Sequence, residues 1–150
     1  MSRSLLGAEE EYLHSPVDDL ESFFWVALWS VMFNNESGQW SSREEVVQRA
    51  LLDIDKDKAI RCFLVLPPDT CNHPARCFRD VMTDWWFKVQ NRQVNWVRDV
   101  LEKIPEDTDK ESYFLPHFHR FALQGVLDVL GVLHKHWEGE ISWKSWTGPI

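Results

Sequence analysis

From Phe23 to Phe33 the chain reads Phe-Phe-Trp-Val-Ala-Leu-Trp-Ser-Val-Met-Phe, a run of apolar residues broken by Ser30 alone. A helix that is apolar on all sides must be buried on all sides. The run falls well short of the roughly 20 residues that a membrane span needs, so it reads as a core helix. Covering such a helix demands a sizeable body of other apolar elements. The chain has them: 150 residues, 44% hydrophobic and 13% aromatic, with nine Trp and nine Phe. That length is about one compact domain, and the composition excludes a disordered chain.

The rest of the chain repeats the helical period. Asp18 or Asp19 can cap the helix just described, with Glu21 three residues after Asp18 in capping-box register. Ser41 and Glu44 form a second box and predict a helix to about Leu52. A third is expected over Asp55 to Val65, with Ile60, Phe63 and Leu64 on one stripe. A longer one should begin near Pro74 and reach about Ile104, its apolar residues mostly three or four apart from Phe78 to Leu101. The last runs from about Ser112 to Trp137 through Leu123, Val126, Leu127, Leu130 and Leu133. Residues 138–150 then form a C-terminal tail. Breaks fall at residues 34–40, with Asn-Asn and Ser-Gly pairs, and at 67–74, with three prolines. No segment alternates in the strand period, so the expectation is one all-α domain of about five helices around a buried central helix.

The 24 acidic and 16 basic residues give a net charge of −8, which works against attraction to nucleic acid or anionic lipid. No run is long enough to cross a membrane, and Met1-Ser-Arg-Ser-Leu-Leu-Gly lacks the apolar core of a secretory signal. Three cysteines, Cys62, Cys71 and Cys77, are an odd and loosely spaced set that fits reduced thiols. An intracellular, cytoplasmic protein is the expectation.

The string His14-Ser-Pro-Val-Asp-Asp-Leu-Glu-Ser-Phe-Phe-Trp-Val-Ala-Leu-Trp29 resembles the fungal-type protein kinase family. There a His and a short spacer precede Asp-Asp-Leu-Glu-Ser and an aromatic-rich helix, and the casein kinase I family is similar at this place. The resemblance implies that the helix is the central F helix of the kinase C-lobe. Asp19 then matches the aspartate whose carboxylate accepts hydrogen bonds from the catalytic loop. Within this chain Asp19 can equally serve as a helix cap, where a carboxylate also suits the helix dipole. Met1 to Leu6 looks like the end of the activation segment, with Ser4 in the place of the glutamate of Ala-Pro-Glu. The specific match covers roughly the first 33 residues.

In kinase order the Gly-rich loop, the β3 lysine, His-Arg-Asp and Asp-Phe-Gly all precede the F helix. None is found in this sequence. Phe78-Arg79-Asp80 has Met82 and Trp85 where a catalytic Lys and a metal-binding Asn are needed, and His119-Arg120-Phe121 lacks the base. No residue of this chain is therefore expected to be catalytic or to bind a metal. The chain itself takes no cofactor, whereas a full-length parent would use ATP and Mg²⁺ to phosphorylate Ser/Thr hydroxyls. The partner expected is protein: either the N-terminal kinase portion or another chain that covers exposed apolar surface. The alternative is a standalone helical interaction module, a pseudokinase remnant without enzymatic activity.

Other clusters read more plainly. Cys62, Cys71, His73 and Cys77 contain no CxxC pair, so ordinary thiols are expected. His117/His119 and His134/His136 are two residues apart and point to different faces of a helix. Trp25, Trp29, Trp85, Trp96 and Trp137 are expected in the core, while Trp143 and Trp146 in the tail either dock back on the domain or anchor a partner.

Overall fold

A computed structural model describes residues 14–34, 39–71 and 73–139. Among these the chain is all-α, with no strand. Five α-helices follow in order: α1 (Asp18–Phe33), α2 (Ser42–Leu52), α3 (Lys56–Leu64), α4 (His73–Asp99) and α5 (Lys110–Gly139). Short 3-10 turns lie at Pro68–Thr70 and Leu101–Lys103. Helix α4 ends at Asp99, ahead of the expected Ile104, and α5 starts two residues before Ser112. The side chain that stops fraying there is Asp109, which accepts the Ser112 amide and hydroxyl. Those two donors hold the Asp109 carboxyl below the usual carboxylate range.

The described residues form two compact units, each drawn from two stretches of chain. The first contains residues 14–24 and 84–133. Its centre is aromatic: Trp96 on α4 meets Phe121 edge-on at 5.3 Å and lies 6.0 Å from Phe114 and 6.2 Å from Phe118, all on α5. Val100 closes the same cluster. Arg92 on α4 forks onto α5, pairing through Nε with Asp128 and donating from Nη1 to Gln124 Oε1 at 3.1 Å. Gly125 fixes the approach of the start of α1 to α5: a Cβ at this position would stand 2.8 Å from Leu20 Cδ1 and 3.1 Å from Val17 Cγ1.

The second unit contains residues 25–83 and 134–139. Here α2 begins at the predicted capping box, in which Ser41 Oγ accepts the Glu44 amide and Glu44 Oε2 accepts the Ser41 amide at 2.8 Å. That hydrogen bond accounts for a Glu44 side chain buried beneath the helix start. Gln48 Nε2 donates to Met32 O at 2.7 Å, satisfying a carbonyl in the last turn of α1 that the helix itself leaves open. Helix α2 ends in a Schellman pattern: the Ile54 amide returns to Leu51 O and the Asp55 amide to Ala50 O. The pattern needs a left-handed residue, and Ile54 supplies it at φ 59° where glycine is usual. Arg79 Nη2 donates to Leu64 O and so caps the end of α3.

Helix α1 corrects the central expectation. Phe24, Leu28 and Met32 are fully buried, yet Phe23, Val26 and Trp29 face outward, with Phe23 63% exposed. The helix is covered on one side and open on the other. Trp137 is also exposed, and Trp25 is half-buried beneath the Lys56 ammonium, 5.0 Å from the ring centroid. No helix of the described residues is long and apolar enough to cross a membrane.

Candidate functional site

The residues that carry the family resemblance converge at the start of α1, in the first unit. The chain turns into the helix through Ser15, Pro16 and Val17, and Pro16 pre-sets a turn backbone. The Asp18 amide returns to Ser15 O at 3.1 Å. Asp18 Oδ2 accepts the Ser15 amide at 2.9 Å, and Ser15 Oγ accepts the Val17 amide at 3.4 Å. Ser15 and Asp18 thus close the turn that leads into the helix, three residues before the spacing of Asp18 with Glu21. The Glu21 amide goes to Val17 O instead, as an ordinary helical bond. Asp18 does cap, as the reaching-back carboxylate and not as the first residue.

This arrangement separates two neighbouring acids. Asp18 is buried, held by the Ser15 amide and by His14 Nδ1 at 3.2 Å. Asp19 points away, its side chain 82% exposed, with His14 Nε2 3.7 Å from its Oδ1. Nδ1 of His14 is close enough to donate to Asp18, whereas Nε2 stands from Asp19 at an ion-pair distance only. The His14 ring also lies over Phe118 of α5, at 6.5 Å between centroids. Ser15 Oγ donates to Gln93 Oε1, tying the corner to α4. The corner is therefore fixed from α4 and α5, and its exposed carboxylate is Asp19.

Asp19 heads the uncovered side of α1. Steps of three and four residues from Asp19 lead to Ser22 and Phe23, then to Val26, all exposed. Asp19 lies in the first turn of α1, and sequence reasoning missed that this face would be exposed. The signal available was the all-round apolar run itself, which says that a second cover is needed without saying whether the chain provides it.

Arg79 pairs with Asp80 at 3.3 Å while capping α3, so this Arg-Asp pair has a structural role. Cys71 is buried, with Sγ 3.2 Å from Pro67 O, and Cys62 and Cys77 are half-buried thiols. Burial first, and then the Glu44 carboxylate, pushes the Cys71 thiol up from its ordinary value. No group of three metal-ligating side chains assembles among the described residues. Glu21 is half-buried on the first turn of α1, and Trp143 and Trp146 lie outside the described residues. Comparison of the chain with protein-family models, with curated proteins and with solved structures gave no match.

Proposed function

We propose that this chain is the C-terminal part of a fungal-type protein kinase C-lobe, from the end of the activation segment onward, acting as scaffold and protein-substrate surface of an ATP-dependent Ser/Thr kinase. The observation that carries the reading is the division of labour between Asp18 and Asp19. The Asp-Asp-Leu-Glu-Ser string opens a helix at its first aspartate, and the second aspartate is left presented to solvent. A carboxylate there can accept backbone amides from a loop laid across the helix start, and Phe23 below it offers that loop apolar footing. In this reading Asp19 is a positioning residue and the reacting groups belong to the rest of the kinase. The residues of this chain do not fit ATP or Mg²⁺, since the phosphate-contacting and metal-binding motifs are not among them. No step through either group is assigned to them.

Two variants of the native product test this. Asp19→Ala should abolish phosphoryl transfer while leaving the melting temperature of the 150-residue chain nearly unchanged, because the side chain is exposed. Asp18→Ala should lower that temperature, because it removes the carboxylate that closes the turn. Unchanged transfer in Asp19→Ala would sink the proposal.

A second reading has its own observation. Outward apolar side chains on α1 and α5 are what a helical interaction module would present. A cooperative melt of the isolated chain at dilute concentration favours this reading, and a molten, dye-binding chain counts against it.

A further inference from the structure

Within the first unit one carboxylate has two amides within its reach. Asp18 stands three residues after Ser15 and three before Glu21, and either spacing lets a carboxylate close a turn. The structure uses the first. Asp18 Oδ2 accepts the Ser15 amide, the Asp18 amide returns to Ser15 O, and the Glu21 amide runs to Val17 O. If Asp18 reached forward to Glu21 instead, it would become the cap of α1. The turn through Ser15, Pro16 and Val17 would then lose the carboxylate that closes it. His14, which stands by both acids at the head of that turn, would go with it. Local spacing does not choose between the two arrangements.

A residue far along the chain does. Ser15 is 4% exposed, and a hydroxyl so buried needs an acceptor. That acceptor is Gln93 Oε1 on α4, 78 residues on. The same Oγ receives the Val17 amide at 3.4 Å, so the hydroxyl serves as donor and acceptor at once. Without Oε1 the hydroxyl is driven toward water, and the turn opens with it. Arg92, the neighbour of Gln93, is engaged by Asp128 and Gln124, so the tie from α4 to the corner is a neutral amide. Val17 and Leu20 lie close against Gly125 of α5, which seats the body of the helix whichever amide Asp18 takes.

We propose that Gln93 is a positioning residue: by accepting the Ser15 hydroxyl it commits the buried Asp18 to Ser15 and leaves Asp19, with His14 beside it, as the acid presented at the head of α1. The inference concerns the chain's own corner and stands apart from the kinase reading; where that reading holds, Gln93 acts on the catalytic loop through Asp19.

The test uses the whole chain and reads amide hydrogen exchange by NMR at Ser15 and, as an internal reference, at Trp96 in the core of the same unit. Gln93→Met keeps the length of the side chain and removes the acceptor. It should speed exchange at Ser15 by at least about tenfold while leaving Trp96 within about twofold. Gln93→Glu keeps an acceptor for the hydroxyl and should hold Ser15 within about threefold of its unaltered rate. Glu21→Ala should lower the melting temperature by at least about 2 °C more in the Gln93→Met chain than in the unaltered one, because the Glu21 side chain then completes a box with Asp18. Equal losses from Glu21→Ala in the two chains would overturn the proposal, as would an unchanged Ser15 rate in Gln93→Met. So would Gln93→Glu exchanging as fast as Gln93→Met, or a rise at Trp96 as large as at Ser15, which would make Gln93 a prop of the whole unit.

Discussion

The two sides of α1 both carry large apolar residues and differ in cover. Phe23 and Phe24 are the same residue at adjacent positions, one 63% exposed and the other at 0%. Helix α5 repeats the contrast, with Phe121 and Gly125 turned inward and Leu123 and Leu127 turned outward. In both helices the hydrophobic pattern marks what ought to be covered, while burial marks what this chain itself covers. The difference between them is apolar surface left over, largest on α5 and present also on α1 and α4.

The comparison can be broken by mutation, most sharply within α1. Phe24→Ala should cost about 3–5 kcal/mol, because it leaves a cavity beside Trp85 and Trp86, which stand 6.0 and 5.1 Å from the ring. Phe23→Ala should change stability by no more than about 0.5 kcal/mol, since an exposed ring loses little on removal. Urea unfolding of the pair measures both, and comparable losses would mean that the outer side of α1 is covered after all.

The glycines of α5 sharpen the same contrast. Gly125→Ala presses a methyl group against Val17 and Leu20, and because Val17 is β-branched and stiff the net effect should be a loss of about 1 kcal/mol or more. Gly131→Ala has open space and should gain about 0.5–1 kcal/mol from helix propensity alone. Opposite signs in a thermal melt are the expected result.

A smaller effect lies between α2 and α3. Ile54→Gly removes a left-handed β-branched residue whose side chain is exposed and gives up little packing, so stability should rise by about 1 kcal/mol or somewhat less. A fall in the denaturation midpoint would show that Ile54 makes contacts outweighing its strained backbone.

The last prediction concerns the thiols. Burial raises the Cys71 pKa, so iodoacetamide should modify Cys71 more slowly than Cys62 or Cys77 near pH 8, and the difference should vanish in denaturant. By linkage, the contribution of this group to stability is complete below the ordinary thiol pKa. It fades as pH rises through the raised folded value. Mass spectrometry of the modified peptides reads the order of reaction directly.

Much of the fold was legible in the sequence because its signals are local. Ser41 with Glu44 fixed the start of α2, and the apolar run placed α1 to its last residue, Phe33. Asp55 at the head of α3 accepts the Lys58 amide, as a cap should. Asp18 reaches back to the Ser15 amide because Ser15 and Asp18 satisfy the same spacing rule as Asp18 and Glu21, and Gln93, far along the chain, holds the Ser15 hydroxyl. That contact is tertiary and leaves no local trace. The outward positions of Trp29 and Trp137 were missed for a related reason: periodicity reports a side chain's character and not whether anything stands opposite it. Asp19 could be placed from the string, but its exposure could not, since that depends on Asp18 taking the buried position.

The central claim is that Asp19 and the open side of α1 await the catalytic part of a kinase. The intact mass of the native product, read with the transcript upstream of Met1, tests this most directly. The account predicts a longer product that brings His-Arg-Asp and Asp-Phe-Gly in frame ahead of Met1. A native product that ends at these 150 residues would contradict it.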